Sequence, residues 1–123
     1  MLTRIRNANM VGHENVSMQL TKMKLALAEI LSQEGYIRSF NIDDSQNIKV
    51  LNITLKYGPD NEPVIRGIKR VSKPGLRVYR RATDIPRVVD GMGVAVLTTS
   101  KGIMTDKACR KNNVGGELIC YIW

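Results

Sequence analysis

Gly58-Pro59-Asp60-Asn61-Glu62-Pro63 gathers two prolines, a glycine and an Asp-Asn pair within six residues, the strongest cluster of chain breakers in the 123-residue sequence. The charge balance changes at the same point. Residues 1–63 carry seven Lys or Arg and seven Asp or Glu, whereas residues 64–123 carry twelve Lys or Arg and four acids, so the whole net charge of +8 belongs to the second half. A shift in composition that coincides with a breaker cluster marks a domain boundary, and we divide the chain into 1–63 and 64–123. With 43% hydrophobic and 24% charged residues, each half can bury a core. No run of about 18 apolar residues is available to cross a bilayer. Leu2-Thr3-Arg4-Ile5-Arg6-Asn7 lacks the continuous apolar stretch of a secretory signal, so the chain is expected to stay inside its compartment with no membrane partner.

Upstream of the boundary, Leu51, Ile53, Leu55 and Tyr57 alternate with Asn52, Thr54 and Lys56, the pattern of a half-buried strand. The cluster Asp43-Asp44-Ser45-Gln46-Asn47 predicts a turn from an earlier strand over 36–42. Before that strand, Met23, Leu27, Ile30 and Leu31 recur at helical spacing, with Thr21 placed to cap the start and Gly35 the end, and this stripe is expected in the core. Leu2, Ile5 and Ala8 predict a short first helix, and 16–18 a brief strand. The first half is therefore two helices covering one face of a small antiparallel sheet.

Downstream, 64–71 and 76–80 are expected to be extended around Ser72-Lys73-Pro74-Gly75, where Pro and Gly suit a type II turn. Val94-Ala95-Val96-Leu97 is continuously apolar and suits a buried strand. Thr105 can cap a short helix carrying Asp106 near its positive end and Arg110 and Lys111 near its negative end. Gly115-Gly116 leads into a closing strand over 118–123. The fold class is α+β, with a mostly β C-terminal domain holding one short helix.

Two stretches could carry function. Arg66, Lys69, Arg70, Lys73, Arg77, Arg80 and Arg81 lie in an 18-residue span, 64–81, with no acid, and their mutual repulsion favours a polyanionic partner over a merely solvated face. Thr98-Thr99-Ser100-Lys101-Gly102 offers three hydroxyls, a cation and a glycine between a buried strand and a helix start. Such a loop suits folded RNA, where riboses and exposed base edges distinguish it from plain duplex, although a loop that satisfies only its own backbone is the plain alternative. Aromatic residues make up 5% of the chain, too few for the stacking platforms of a single-strand binder. For Tyr79, between Arg77 and Arg80, stacking on a base and packing in the core both stay open.

Enzyme motifs fail. Gly91-Met92-Gly93 is followed by Val at 94, 95 is Ala and 96 is Val, so the third small residue of a dinucleotide fingerprint is missing, and no phosphate loop is present. Cys109 and Cys120 lack the spacing of a metal knuckle or redox pair and read as small core residues. A lowered thiol pKa at Cys109, on a short basic helix, is the one route to a cysteine-dependent enzyme. His13, the only histidine, falls in a polar loop in the other half. No catalytic residue, metal or cofactor is expected.

The sequence resembles bacterial-type small-subunit ribosomal protein eight over essentially its whole length. The matching stretches are Leu2-Thr3-Arg4-Ile5-Arg6-Asn7-Ala8, Glu34-Gly35-Tyr36-Ile37, Ser72-Lys73-Pro74-Gly75-Leu76-Arg77-Val78-Tyr79, Thr99-Ser100-Lys101-Gly102-Ile103-Met104-Thr105-Asp106 and Gly115-Gly116-Glu117-Leu118-Ile119-Cys120-Tyr121-Ile122-Trp123. The resemblance implies two small α+β domains packed together in a structural constituent of the small ribosomal subunit. It implies primary binding to the central domain of small-subunit rRNA at an irregular helix, a role in assembling the platform, and neighbouring ribosomal proteins as partners. No small-molecule substrate and no homo-oligomer are implied.

Carried over by position, the RNA-binding residues are Thr99, Ser100, Lys101 and Gly102, supported by Gly115, Gly116 and Glu117 and by Lys73, Pro74, Arg77 and Tyr79. Thr98 stands where the family commonly has Ser. Arg4, Lys22 and Lys24 would meet RNA from the N-terminal domain, where Gln19 replaces the usual Pro. Met1 aligns with a normally internal methionine, so leading residues are expected to be missing. The ending Tyr121-Ile122-Trp123 resembles cyanobacterial and plastid members and points to a ribosome in the plastid stroma. A free RNA-binding regulator or chaperone is the alternative of a different class.

Overall fold

The computed structural model describes residues 1–45 and 47–123. The chain divides into two compact units, Met1–Ile65 and Arg66–Trp123. The division falls just after Pro63, at Ile65, because the Val64 N–H donates to Lys56 O and Tyr57 bridges Pro63.

The first unit runs α1 (Leu2–Val11), β1 (Asn15–Gln19), α2 (Lys22–Gln33), β2 (Ile37–Asp43) and β3 (Val50–Leu55). The strands form an antiparallel sheet ordered β1-β3-β2. Register sets Val16, Ile53 and Phe40 in one row and Met18, Leu51 and Ile42 in the next, so one face is apolar while Ser17, Asn52 and Asn41 line the other. Gln46, in the expected turn between β2 and β3, lies outside the described residues.

Helix α2 begins where Thr21 Oγ1 accepts the Lys24 N–H at 3.1 Å. It ends where Gly35, at φ 78°, lets the Tyr36 N–H reach back to Leu31 O. Leu27, Ala28, Ile30 and Leu31 are buried, but Met23 is 50% exposed, contrary to the expected stripe. Met23 has the right angular position, yet it lies a full turn before burial begins at Leu27. Periodicity fixes direction around a helix axis and not where along it a partner begins.

The second unit holds β4 (Ile68–Arg70), β5 (Tyr79–Arg80), two 3-10 turns (Ala82–Asp84 and Val88–Gly91), β6 (Val94–Thr99), β7 (Gly102–Thr105), α3 (Asp106–Asn112) and β8 (Gly116–Ile122). The sheet order is β4-β8-β6-β7, with β5 also paired to β8, so the last strand of the chain joins three others. Its core gathers Ile85, Val88, Ala95, Leu97, Cys109 and Leu118.

The flanks of the basic run are extended over less of their length than expected. Arg66 and Gly67 both donate their N–H to Trp123 O, and a Cβ on Gly67 would overlap the Trp123 indole, so the ladder starts only at Ile68. At the other flank, β5 is confined to Tyr79 and Arg80 because 73–76 is occupied by a tight turn.

Helix α3 is fastened by a buried acid. Thr105 Oγ1 caps it by accepting the Ala108 N–H, and Asp106, 1% exposed, accepts the Ala95 N–H on Oδ1 at 3.3 Å. Asp106 Oδ2 has no partner with hydrogen-bond geometry, but Arg110 Nη1 stands 2.9 Å away as an ion pair. Arg110 Nη2 donates to Ile85 O and Pro86 O, so one guanidinium ties α3 to the segment leading into β6.

In urea unfolding, Leu31→Ala is expected to cost about 2–5 kcal/mol and Met23→Ala less than about 1 kcal/mol. Equal costs would contradict the placement of Met23 outside the core.

Candidate nucleic-acid interface

Strands β6 and β7 pair as far as Thr99 opposite Gly102, which leaves Ser100 and Lys101 as a two-residue turn. The Thr99 hydroxyl donates to Gly102 O at 2.8 Å and accepts the Lys101 N–H at 3.1 Å. One of the three hydroxyls expected to face a ligand therefore holds the turn together. Thr98, Ser100, Lys101 and Gly102 are exposed.

Beside this turn, Thr98, Glu117 and Tyr79 form a row across β6, β8 and β5. Two features of β8 create the row. The register of β6 on β8 shifts between Val96 and Leu97, skipping Ile119, and this bulge sets Glu117 rather than Leu118 opposite Thr98. The preceding glycines then allow contact of bare backbone. A Cβ on Gly116 would overlap Thr98 O, and one on Gly115 would overlap Arg80 O and lie 2.8 Å from Arg81 Cα.

Arg77 Nη1 lies 3.3 Å from Glu117 Oε2, with the Arg77 side chain 50% exposed and that of Glu117 19%. Glu117 thus enters the site as a neutralised acceptor and not as a free negative charge. Tyr79 is 65% exposed, which closes the core-packing alternative and leaves its ring on the surface.

Lys73 and Pro74 project from a turn closed by paired hydrogen bonds between the backbones of Lys73 and Leu76. Gly75 does not take the positive φ that a type II turn requires at its third position, so that expectation fails. The turn is pinned instead by Ser72, 3% exposed, whose Oγ accepts the Val78 N–H at 2.8 Å, while Arg70 Nε donates to Ser72 O. The sequence reading did not single out Ser72. Its signal was a hydroxyl immediately before Lys-Pro-Gly, the place from which a short side chain can bond nearby backbone.

A concavity of about 670 Å³ opens beside the row, lined by Tyr79, Arg80, Arg81, Ala82, Thr83, Asn113, Gly115 and Gly116. Arg80, Arg81, Thr83 and Asn113 were not among the expected site residues. The two arginines belonged to the acid-free run, but Thr83, in the first 3-10 turn, and Asn113, at the end of α3, come together only where that turn meets the helix in the folded unit.

In the first unit, Arg4 Nη1 donates to Ser17 O at 2.8 Å and Lys24 Nζ to Gln19 O at 3.2 Å. Both cations cover open carbonyls of the edge strand β1, a device that blunts edge-to-edge pairing. Lys22 is exposed on the first turn of α2.

The cysteines are free and buried. Burial pushes the Cys109 thiol up, and the Asp106 carboxylate adds to this against the opposing Arg110 charge, so the lowered value considered for a basic helix does not arise. Burial pushes Cys120 from 9.0 up to about 12. Among the described residues, no group of three His, Cys, Asp or Glu side chains could hold a metal ion.

Comparison with known proteins adds ancestry to this geometry. A family model described as Ribosomal protein S8 matches residues 1–123. The chain is 58% identical over 124 residues to small ribosomal subunit protein uS8 of Lachnoclostridium phytofermentans, covering 100% of this chain and 93% of that protein. It is 54% identical over 123 residues to the uS8 protein of Geobacillus kaustophilus, with the same two coverages. To that of Moorella thermoacetica it is 57% identical over 122 residues, 99% of this chain and 94% of the relative.

Both native thiols should resist alkylation at neutral pH and react once the chain is unfolded in urea; rapid native labelling of Cys109 would contradict its burial. A thiol whose pKa is higher folded than unfolded stabilises the fold fully below the unfolded value and loses that contribution as pH rises through the folded one. Stability should therefore fall as pH climbs from 9.0 toward about 12, and Cys120→Ala should flatten the fall in a pH series of urea midpoints.

Proposed function

Because the chain belongs to the ribosomal protein S8 family, we propose that its basic second unit grips the central domain of small-subunit rRNA at an irregular helix and helps assemble the platform there. The chain is a structural constituent of the small ribosomal subunit. Its work is binding and positioning, with no chemical step, beside neighbouring ribosomal proteins. The observation that carries the reading is the row Thr98, Glu117 and Tyr79 next to the exposed Ser100-Lys101 turn, on a unit that holds the whole positive excess.

Two kinds of contact divide the labour. Cations such as Lys73 and Lys101 meet phosphates, which gives affinity and orientation without reading shape or sequence. Ser100 and Thr98 offer hydroxyls to riboses and base edges, which an irregular helix exposes and a regular duplex does not present in the same arrangement. Arg77 serves both ends, since it contributes positive charge and neutralises Glu117. For Arg4 and Lys24 the proposal is a lesser RNA role than for the second unit, because each already donates to β1. The ending Tyr121-Ile122-Trp123 motivated the expectation of a plastid; the relatives named above are bacterial, which supports a bacterial-type ribosome and adds nothing to the plastid reading.

Titration of salt against affinity for a small-subunit rRNA fragment separates the two kinds of contact. Lys73→Ala should flatten the slope by roughly 0.7–0.9 for one lost phosphate contact. Arg77→Ala should weaken binding more than Lys73→Ala, since it also leaves the Glu117 carboxylate uncompensated beside RNA. Ser100→Ala should leave the slope unchanged and reduce the preference for the fragment over a plain duplex. If Ser100→Ala and Lys73→Ala act alike, through salt-dependent affinity only, the division is wrong.

A further inference from the structure

The Thr99 hydroxyl has one proton and two acceptors within its reach, Gly102 O at 2.8 Å and Met104 Sδ at 3.3 Å. We propose that Met104 is a redox-sensitive modification site, at which oxidation to the sulfoxide draws that proton away from Gly102 O and loosens the Ser100-Lys101 turn. The proposal rests on the rRNA-binding reading and adds a regulation of it, in which a peroxide sets how well the free chain tells folded RNA from duplex.

The register of β6 on β7 explains the contact. Met104 stands opposite Leu97, and Thr99 lies two residues beyond Leu97, so all three share one face of the sheet. Leu97 is fully buried on that face, and Met104 packs partly buried against the same core. Thr98 belongs to the opposite face, with Glu117 and Tyr79. Met104 therefore meets the turn from behind and takes no place in the row.

A thioether is a weak acceptor and leaves the proton to Gly102 O. Oxidation reverses that order. A peroxide transfers one oxygen atom to a lone pair of Sδ; the sulfur is oxidised by two electrons, and the peroxide is reduced and leaves as water. The new oxygen carries partial negative charge and accepts a hydrogen bond far better than sulfur. Toward the core it meets apolar side chains, where it would go unpaired at a cost, whereas the Thr99 hydroxyl is a donor already in contact. Loss of the Thr99–Gly102 bond frees Ser100 without removing any cation, so discrimination by shape falls while the charge is kept. Of the six methionines in the chain, Met10, Met23 and Met92 are exposed and take no part in the turn, and Met18 is buried. The exposed three serve as internal controls.

The test treats the full chain with hydrogen peroxide for increasing times, removes the peroxide, and follows each methionine by peptide mass spectrometry. Binding is measured alongside, to the small-subunit rRNA fragment that the chain protects from chemical probes and to a duplex of equal length. The preference for the fragment should fall by about three- to tenfold, the share that one turn-closing hydrogen bond can carry, with the salt slope unchanged. The fall should follow oxidation of Met104 and not the earlier oxidation of Met10 and Met92. Methionine sulfoxide reductases acting on both epimers should restore the preference as the Met104 peptide returns to its unoxidised mass. Met104→Leu should keep its own untreated preference through the same exposure. In Thr99→Val, which has no hydroxyl proton to lose, oxidation of Met104 should change the preference by less than about twofold. An equal fall in Thr99→Val would show damage to core packing and overturn the switch, as would a fall that tracks the exposed methionines or persists in Met104→Leu. A chain that keeps its preference with Met104 fully oxidised, or whose Met104 reacts only in urea, overturns the switch and leaves the ribosomal reading standing. An untreated chain with no preference for the fragment overturns both.

Discussion

The contact of the Gly115-Gly116 backbone with the strands on either side is the constraint from which the rest of the second unit follows. A methyl group at either position would overlap a carbonyl oxygen, of Thr98 on one side and of Arg80 on the other, and would drive β8 away from β6 or β5. With the contact made, β8 can pair at once with β4, β5 and β6. The bulge at Ile119 then decides which side chains share a row, bringing Glu117 beside Thr98 while Leu118 turns into the core against Leu97. Residues separated by about twenty positions in sequence, Tyr79, Thr98 and Glu117, become neighbours through that one strand.

The surface proposed to meet RNA is rigid because its exposed groups are fixed from behind. Thr99 holds the β6–β7 turn, Ser72 holds the Lys73–Leu76 turn, and the buried Asp106 with Arg110 holds α3 to the start of β6. A buried ion pair of this kind adds little net stability compared with apolar residues of equal size, but breaking it by removing one partner strands a charge. Its value here is positional, since three separate segments, α3, the start of β6 and Ile85–Pro86, meet at those two side chains. Preorganised hydroxyls and cations lose little freedom on binding, which is what the proposed discrimination of folded RNA from duplex by a small polar surface requires.

The helices and strands were legible because their signals are local. Thr21 and Thr105 cap where their hydroxyls suggested, Gly35 ends α2, and the alternation of Leu51, Ile53 and Leu55 marks the buried face of β3. The failures came where tertiary contact decides. Met23 belonged to the right stripe but lies beyond its partner, and Arg66 and Gly67 are claimed by the chain end at Trp123. The Cys109 thiol follows its burial and not the basic charge of its helix. Of the site, the charged run and the hydroxyl loop could be read directly. The internal duty of Thr99, the pairing of Arg77 with Glu117 and the concavity between Thr83 and Asn113 could not, since the partner a hydroxyl takes within its own turn and the pairing that brings 79–80 beside 116–117 are settled only in the folded unit.

The most direct test of the account is chemical footprinting of intact small-subunit rRNA with and without this protein at moderate ionic strength. Protection should be confined to one irregular helix of the central domain and should include ribose positions as well as phosphates. Protection scattered along regular helices, or none that survives competition by arbitrary duplex, would show that the positive half of the molecule meets phosphates alone and would contradict recognition by shape.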